Sequence, residues 1–263
     1  MASGPTPDSA APAVAGMTGS YHEASPVALL RPHFLCAWCS ELAPGQAADV
    51  AVLPDGCADI LWTDGGLSVV GPDVVAARPQ LAPGARVLGL RFQPGAARGW
   101  LGVPLSELVG RRVELGALWG DGRAGRVARR VGEAATPDAR MLALQQALAC
   151  DAPRHQPPAP RAAALFRWLA AAPQPGGRGL EDRLETSERS LRRLSHDHFG
   201  YGPKMLERIL RLQRFIALLR GPADIPLAML AVDAGYADQA HLSREVRALC
   251  GMTPSALREQ ARG

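Results

Sequence analysis

Apolar positions recur at helical spacing through the last third of the chain, and polar stop and start signals cut that pattern into short helices. Pro203 opens a helix that ends before Gly221, with Met205, Ile209, Leu212, Ile216 and Leu219 at alternating spacings of four and three. Asp224 is placed to cap a following helix with Pro226 in its opening turn, and Gly235 closes it. Asp238 caps the next helix, Gly251 closes that one, and Thr253-Pro254 opens the last. Leu242, Val246 and Leu249 give the helix after Asp238 an apolar stripe, and Gln239, His241, Arg244 and Arg247 lie off it. Ala231 is small where a partner helix must cross closely, and Gly235 sits where the chain must turn. The same grammar appears upstream: Ser187 caps a helix running to Phe199, Gly200 ends it, and Leu191, Leu194 and Phe199 form its buried side. Arg189, Arg192 and Arg193 cluster near its start. The Pro203 helix, about 17 residues at ~1.5 Å each, is a spacer of roughly 25 Å. That length suits two helix-turn-helix readers held for successive major grooves, ~34 Å apart on one face of a duplex.

The first half has another rhythm. Phe34 to Glu41, Ala58 to Thr63 and Val87 to Phe92 read as strands, and Asp64-Gly65-Gly66 followed by Leu67 to Val70 reads as a hairpin. After Pro94-Gly95 the pattern turns helical over Ala96 to Leu101, Asp121 to Gly132 and Asp138 to Cys150. The expected fold class is therefore α+β: a small β-barrel-like domain with trailing helices, then an all-α double helix-turn-helix domain. Residues 1–20 read as a disordered tail, 21–150 as the β-rich domain, 151–160, with four prolines, as a flexible linker, and 161–263 as the helical domain.

The run Ala231, Gly235-Tyr236, Asp238-Gln239, His241-Leu242-Ser243-Arg244, Gly251 and Thr253-Pro254 resembles the signature of AraC-type (AraC/XylS) transcription regulators. So does Ser187-Glu188-Arg189-Ser190-Leu191-Arg192-Arg193 with Gly202-Pro203-Lys204 after it. The resemblance covers about the last hundred residues. It implies a seven-helix DNA-binding domain whose DNA-facing positions fall on Arg189, Arg192 and Arg193 in the first unit and on Gln239, Ala240, His241, Ser243 and Arg244 in the second. Two departures stand in the first unit. Glu181 and Glu185 occupy positions where the family has a small residue and a glycine, and Ser195 stands for a buried Phe. Carboxylates near a helix crossing are expected to face water or an arginine, since burying them unpaired costs several kcal/mol. The segments 52–57, 70–72 and 89–95 resemble the cupin-like β-domain of some AraC-type regulators, which implies a sensing or dimerising role without naming a ligand.

Charge supports the division. Residues 161–263 hold 16 Lys+Arg and 11 Asp+Glu, so the excess positive charge sits in the half with the DNA pattern. Lys204 is the one lysine, so the basic chemistry is almost wholly arginine. No secretory signal and no run of 18 apolar residues is present, from which a soluble cytoplasmic, nucleoid-associated protein that does not enter membranes is expected.

Enzyme readings find little in the residues. There is no phosphate-binding glycine loop, nucleophile elbow or metalloprotease pair, so neither catalytic residues nor a cofactor are expected. Asp55 and Asp59 are read as a turn and a strand start rather than as paired carboxylates. Cys36 and Cys39 have metal or redox spacing, with His33 and Cys57 as conceivable partners, but residues three apart on a strand face opposite ways; buried apolar cysteines without a metal are expected. Trp38, Trp62 and Arg91 are the candidate effector-binding residues of a barrel interior, against the plainer reading as strand core. The expected partners are double-stranded DNA, a small-molecule effector and a second copy of the chain. Two alternatives remain open: an adaptor whose β-domain binds a protein while the helical domain gives only weak non-specific DNA affinity, and a small-molecule-modifying enzyme fused to a reader.

Overall fold

The computed structural model describes residues 13–15, 20–42, 50–171, 184–221 and 225–262. Strands β1 (Ala13–Val14) and β4 (Val50–Ala51) form a short parallel pair. Strands β2 (Ser20–Ala24), β3 (Phe34–Glu41), β5 (Asp59–Thr63), β6 (Gly66–Val70), β7 (Arg86–Phe92) and β8 (Arg112–Glu114) form an antiparallel sheet in the order β2-β3-β7-β5-β6-β8. Thr63 pairs with Gly66, so the expected hairpin forms with Gly66 already in the second strand and the turn reduced to Asp64-Gly65.

Alternation along each strand sorts the side chains. Ala37, Leu90, Ile60 and Val69 share one face, where they are buried beneath helices α1 (Ala97–Leu101), α3 (Asp121–Gly132) and α4 (Pro137–Ala149). The short α2 (Leu115–Trp119) packs with them through Leu115. Trp100 of α1 anchors this core, edge-on to Phe34 at 5.0 Å between ring centres and tilted against Phe92 at 6.3 Å.

The helical half contains α5 (Pro160–Ala170), α6 (Glu188–Phe199), α7 (Pro203–Leu219), α8 (Leu227–Ala234), α9 (Gln239–Cys250) and α10 (Pro254–Gln260) among the described residues. Residues 172–183, with Glu181, and Asp224 lie outside them. The local signals hold where they can be seen. Ser187 accepts from the Ser190 N–H, Asp238 from the His241 N–H and Thr253 from the Ala256 N–H, each satisfying a donor the helix start leaves over. Pro226 immediately precedes α8. At its other end Tyr236 N–H bonds to Ala231 O and Gly235 N–H to Val232 O, a paired closure that needs the left-handed conformation Gly235 adopts at φ 91°. The spacer α7 buries Ile209, Leu212, Ile216 and Leu219, as its periodicity requires.

The two halves share their cores. Val14 and Ala51 are buried among the helices of the second reader with Leu230, Ala231, Val246 and Leu257, and Val14 N–H donates to Gln260 Oε1 at 2.7 Å. Ala76 N–H donates to Leu249 O at 2.7 Å, and Gln213 donates to Pro54 O at 2.8 Å. The segment 151–160, expected to be a flexible tether because of its prolines, is instead packed down: Ala152 is buried and His155 stacks on Trp100 with ring centres 4.1 Å apart.

Candidate nucleic-acid interface

In the second reader, α9 is held from behind and open in front. Its apolar stripe of Leu242, Val246 and Leu249 is buried. Arg208 on α7 grips Glu245 through two parallel hydrogen bonds, Nε to Oε2 at 2.8 Å and Nη2 to Oε1 at 3.1 Å. Burial of Arg214 lowers its pKa, and its guanidinium donates to the carbonyls of Leu169, Ala170 and Ala171 at the end of α5 and to Ala234 O at the end of α8. One side chain thus caps two helices, and neither clamp was anticipated in the sequence, because both pairings are long-range.

On the outer side of α9, Gln239, Ala240 and Arg244 are exposed. His241 is half-buried and partly structural: its Nδ1 accepts from the Ala237 N–H at 3.3 Å and its ring meets Tyr236 edge-on at 5.3 Å. That acceptance leaves the proton on Nε2. Ser243 donates its hydroxyl to Gln239 O at 2.9 Å, so its oxygen retains acceptor capacity.

The first reader presents Arg189, Arg192 and Arg193, all exposed, on one turn and a half of α6. The structure also accounts for the two described departures from the family pattern. Glu185 is exposed and sits at φ 47°, the left-handed conformation for which the family's glycine is suited. Ser195 is buried, and its hydroxyl donates to Tyr201 O at 2.6 Å, so a hydrogen bond replaces the packing of an aromatic ring.

The three effector candidates are not brought together. Trp38 and Arg91 share the sheet face opposite the helices: Trp38 stands across from Gly89, and Arg91 across from Cys36 and Asp59. Trp62 is a correction, since it lies on the other face, where it packs against the helical core near Gly132 of α3. The reason is parity, because Asp59 and Trp62 are three apart on one strand. A Cβ on Gly89 would lie 2.1 Å from Trp38 Cε2, so the indole lies flat against β7 only because that residue is glycine. Trp38 Nε1 donates to Asp59 at 2.7 Å, and Arg91 pairs with Asp55 at 3.2 Å, Asp59 at 3.3 Å and Glu23 at 3.6 Å. Burial opposes the Arg91 charge, but the Asp59 and Asp55 carboxylates outweigh it and raise its pKa. Asp55 and Asp59 thus meet on one guanidinium, which their separate turn and strand roles did not foretell. The adjoining Gly56 turn lies against Leu206, Phe166 and Tyr201 of the helical half.

Cys36 faces Arg91 and Cys39 the opposite side; burial pushes the Cys36 thiol up to about 12. Among the described residues, no cluster of three or more His, Cys, Asp or Glu is placed to hold a metal ion, and no helix is long and apolar enough to cross a membrane.

Two capped helices, α6 and α9, each backed by an apolar stripe, are joined by the single spacer helix α7. Residues 180–260 match the family described as a helix-turn-helix domain, and residues 22–114 match a domain of unknown function (DUF6597). The chain carries these two domains in that order, sheet first and reader last. It is also similar to the crystal structure of ToxT from Vibrio cholerae O395, with 11% identity and a TM-score of 0.46 over 86% of this chain and 97% of that one. Unsaturated fatty acid bound wild-type ToxT from Vibrio cholerae strain SCE256 gives 12% identity and a TM-score of 0.45 over 87% and 95%. No curated protein matches the chain.

Proposed function

We propose that the chain reads specific DNA sequences with the exposed side of α9 and anchors itself on phosphates with α6, under the control of a sensing amino-terminal half. One observation carries this reading: Gln239 and Arg244 project, exposed, from a helix that its Asp238 cap and the Arg208–Glu245 clamp fix in place. An amide and a guanidinium so held suit bidentate contact with base edges, while Ala240 allows close approach and His241 offers Nε2–H as a donor. Ser243 contributes an acceptor at the same face. Arg189, Arg192 and Arg193 suit phosphate contacts, because three exposed guanidinium groups clustered at a helix start can meet phosphate oxygens in any sequence.

The test is affinity for a duplex chosen from a random pool and for its scrambled sequence over a salt series. Gln239→Ala and Arg244→Ala should each cost ~1–3 kcal/mol on the chosen duplex and relax its sequence preference. Loss of one first-unit arginine should weaken both duplexes alike and lower the salt slope by ~1. Equal losses on both duplexes for the two α9 variants would remove the case for base reading there and favour the adaptor alternative.

A further inference from the structure

Arg123, Arg126 and Arg130 follow one another at spacings of three and four on α3, and so stand on one side of that helix. With Arg154, Asp151 and His155 from the segment after α4, they line a cavity of about 500 Å³. Its charges do not balance. Asp151 is the one carboxylate among the described lining residues, and it is shared by Arg123 at 2.9 Å and Arg154 at 2.5 Å. Arg130 reaches only the neutral Gln146 at 3.2 Å, and no described carboxylate stands within ion-pair distance of Arg126 or Arg130.

Part of this cluster is fixed in advance. Arg123 lies over the Trp119 ring at 3.9 Å and is 3.3 Å from His155 Nε2. His155 Nδ1 bonds to Gly99 O at 3.1 Å, and since a carbonyl can only accept, Nδ1 carries the proton and Nε2 accepts from Arg123. Burial lowers the His155 pKa in keeping with a neutral ring. Guanidinium forks turned into a cavity of small-molecule size, with Val127 and Ala147 as apolar walls, suit a compact anion better than a duplex backbone, which is met by ridges.

We infer that this cleft binds a small multivalent anion carrying two or more phosphate or carboxylate groups, and that binding is passed to the first reader. The second clause rests on reading the amino-terminal half as a sensor. The route is physical: an entering anion competes with Asp151 for Arg123 and Arg154, and Asp151 and His155 belong to the segment that runs directly into α5. His155 also holds Gly99 on α1, whose leading turn binds α6 through Gly95 O and His198.

Isothermal titration of the full chain with inorganic pyrophosphate, and separately with citrate, in low-salt buffer without magnesium tests the site. At least one should bind saturably, and Arg126→Gln/Arg130→Gln, which alters two exposed side chains, should weaken that binding about tenfold or more. Equal melting temperatures would show the double variant folded. No saturable binding of either anion, or equal binding by the double variant, overturns the site. Unchanged anion binding with a uniform loss of affinity for all duplexes would make the cleft a DNA backbone contact and also overturn it. For the second clause, the bound anion should shift duplex affinity in the wild type and not in the double variant; no shift despite binding overturns the relay. Failure to bind any duplex would count against the DNA-reading proposal, while the titration stands by itself.

Discussion

His198 on α6 bonds through Nδ1 to the carbonyl oxygen of Gly95, 3.0 Å away in the turn between β7 and α1, so one imidazole ties the first reader to the sheet half. A carbonyl only accepts, which requires the proton on Nδ1. Burial lowers the His198 pKa below its ordinary 6.5, with the Gly95 bond opposing it.

The sign of the pH dependence follows. The unfolded chain takes up the proton first, so the contribution is fully present above pH 6.5 and fades as the pH falls below it. The melting temperature should drop between pH 7.5 and 5.5, and His198→Asn, which keeps an amide donor near Nδ1 but does not titrate, should flatten that drop. His155 and His33 shift in the same direction, so part of the slope remains. An unaltered slope in His198→Asn would assign the effect elsewhere.

Asp73 behaves oppositely. Burial first, then the Asp55 and Asp59 carboxylates, raise its pKa from 3.8 to about 6. Its contribution is present below pH 3.8 and lost as the pH rises through 6, so at pH 7.5 an ionised Asp73 is a burden. Asp73→Asn should raise the melting temperature at pH 7.5 by roughly 2–4 °C, as about 1 kcal/mol does in a chain of this size, and by less at pH 4.5. Calorimetry at the two pH values decides it; no gain at pH 7.5 contradicts the assignment.

Ala51 is wholly buried in the core of the second reader although it lies far from it in the chain. Ala51→Glu buries an unpaired carboxylate at a cost of several kcal/mol and should weaken DNA binding without touching a DNA-facing residue. Wild-type affinity in a gel-shift titration would show that the reader does not depend on this contact.

Glu185→Gly should stabilise the first reader by about 0.5–1 kcal/mol, because relief of the left-handed strain outweighs the added flexibility of glycine. Chemical denaturation measures the gain, and a loss would mean that the Glu185 side chain makes up for its backbone.

What the chain discloses on inspection is what neighbours in sequence decide. Ser187, Asp238 and Thr253 cap the helices they precede, and the Asp64-Gly65 turn joins the strands it separates, since each needs only partners a few residues off. Trp62 shows where this stops. Parity sets its face opposite to that of Asp59, but only the register between strands puts Asp59 on the side of Trp38 and Arg91, and no single strand fixes that register. Val14 and Ala51 inside the second reader, Arg208 on Glu245 and the arginine cleft all depend on segments distant in the chain, and no local periodicity announces them.

Arg214 holds the ends of α5 and α8 from the spacer, so the helices on either side of α7 answer to one bracket. A hinged pair would follow a curved duplex by bending; a bracketed pair offers the α9 face and the α6 arginines at one fixed spacing. If both meet the duplex as proposed, shortening it until it no longer reaches α6 should remove the phosphate contribution of Arg189, Arg192 and Arg193 in a single step and leave the preference expressed through α9 unchanged.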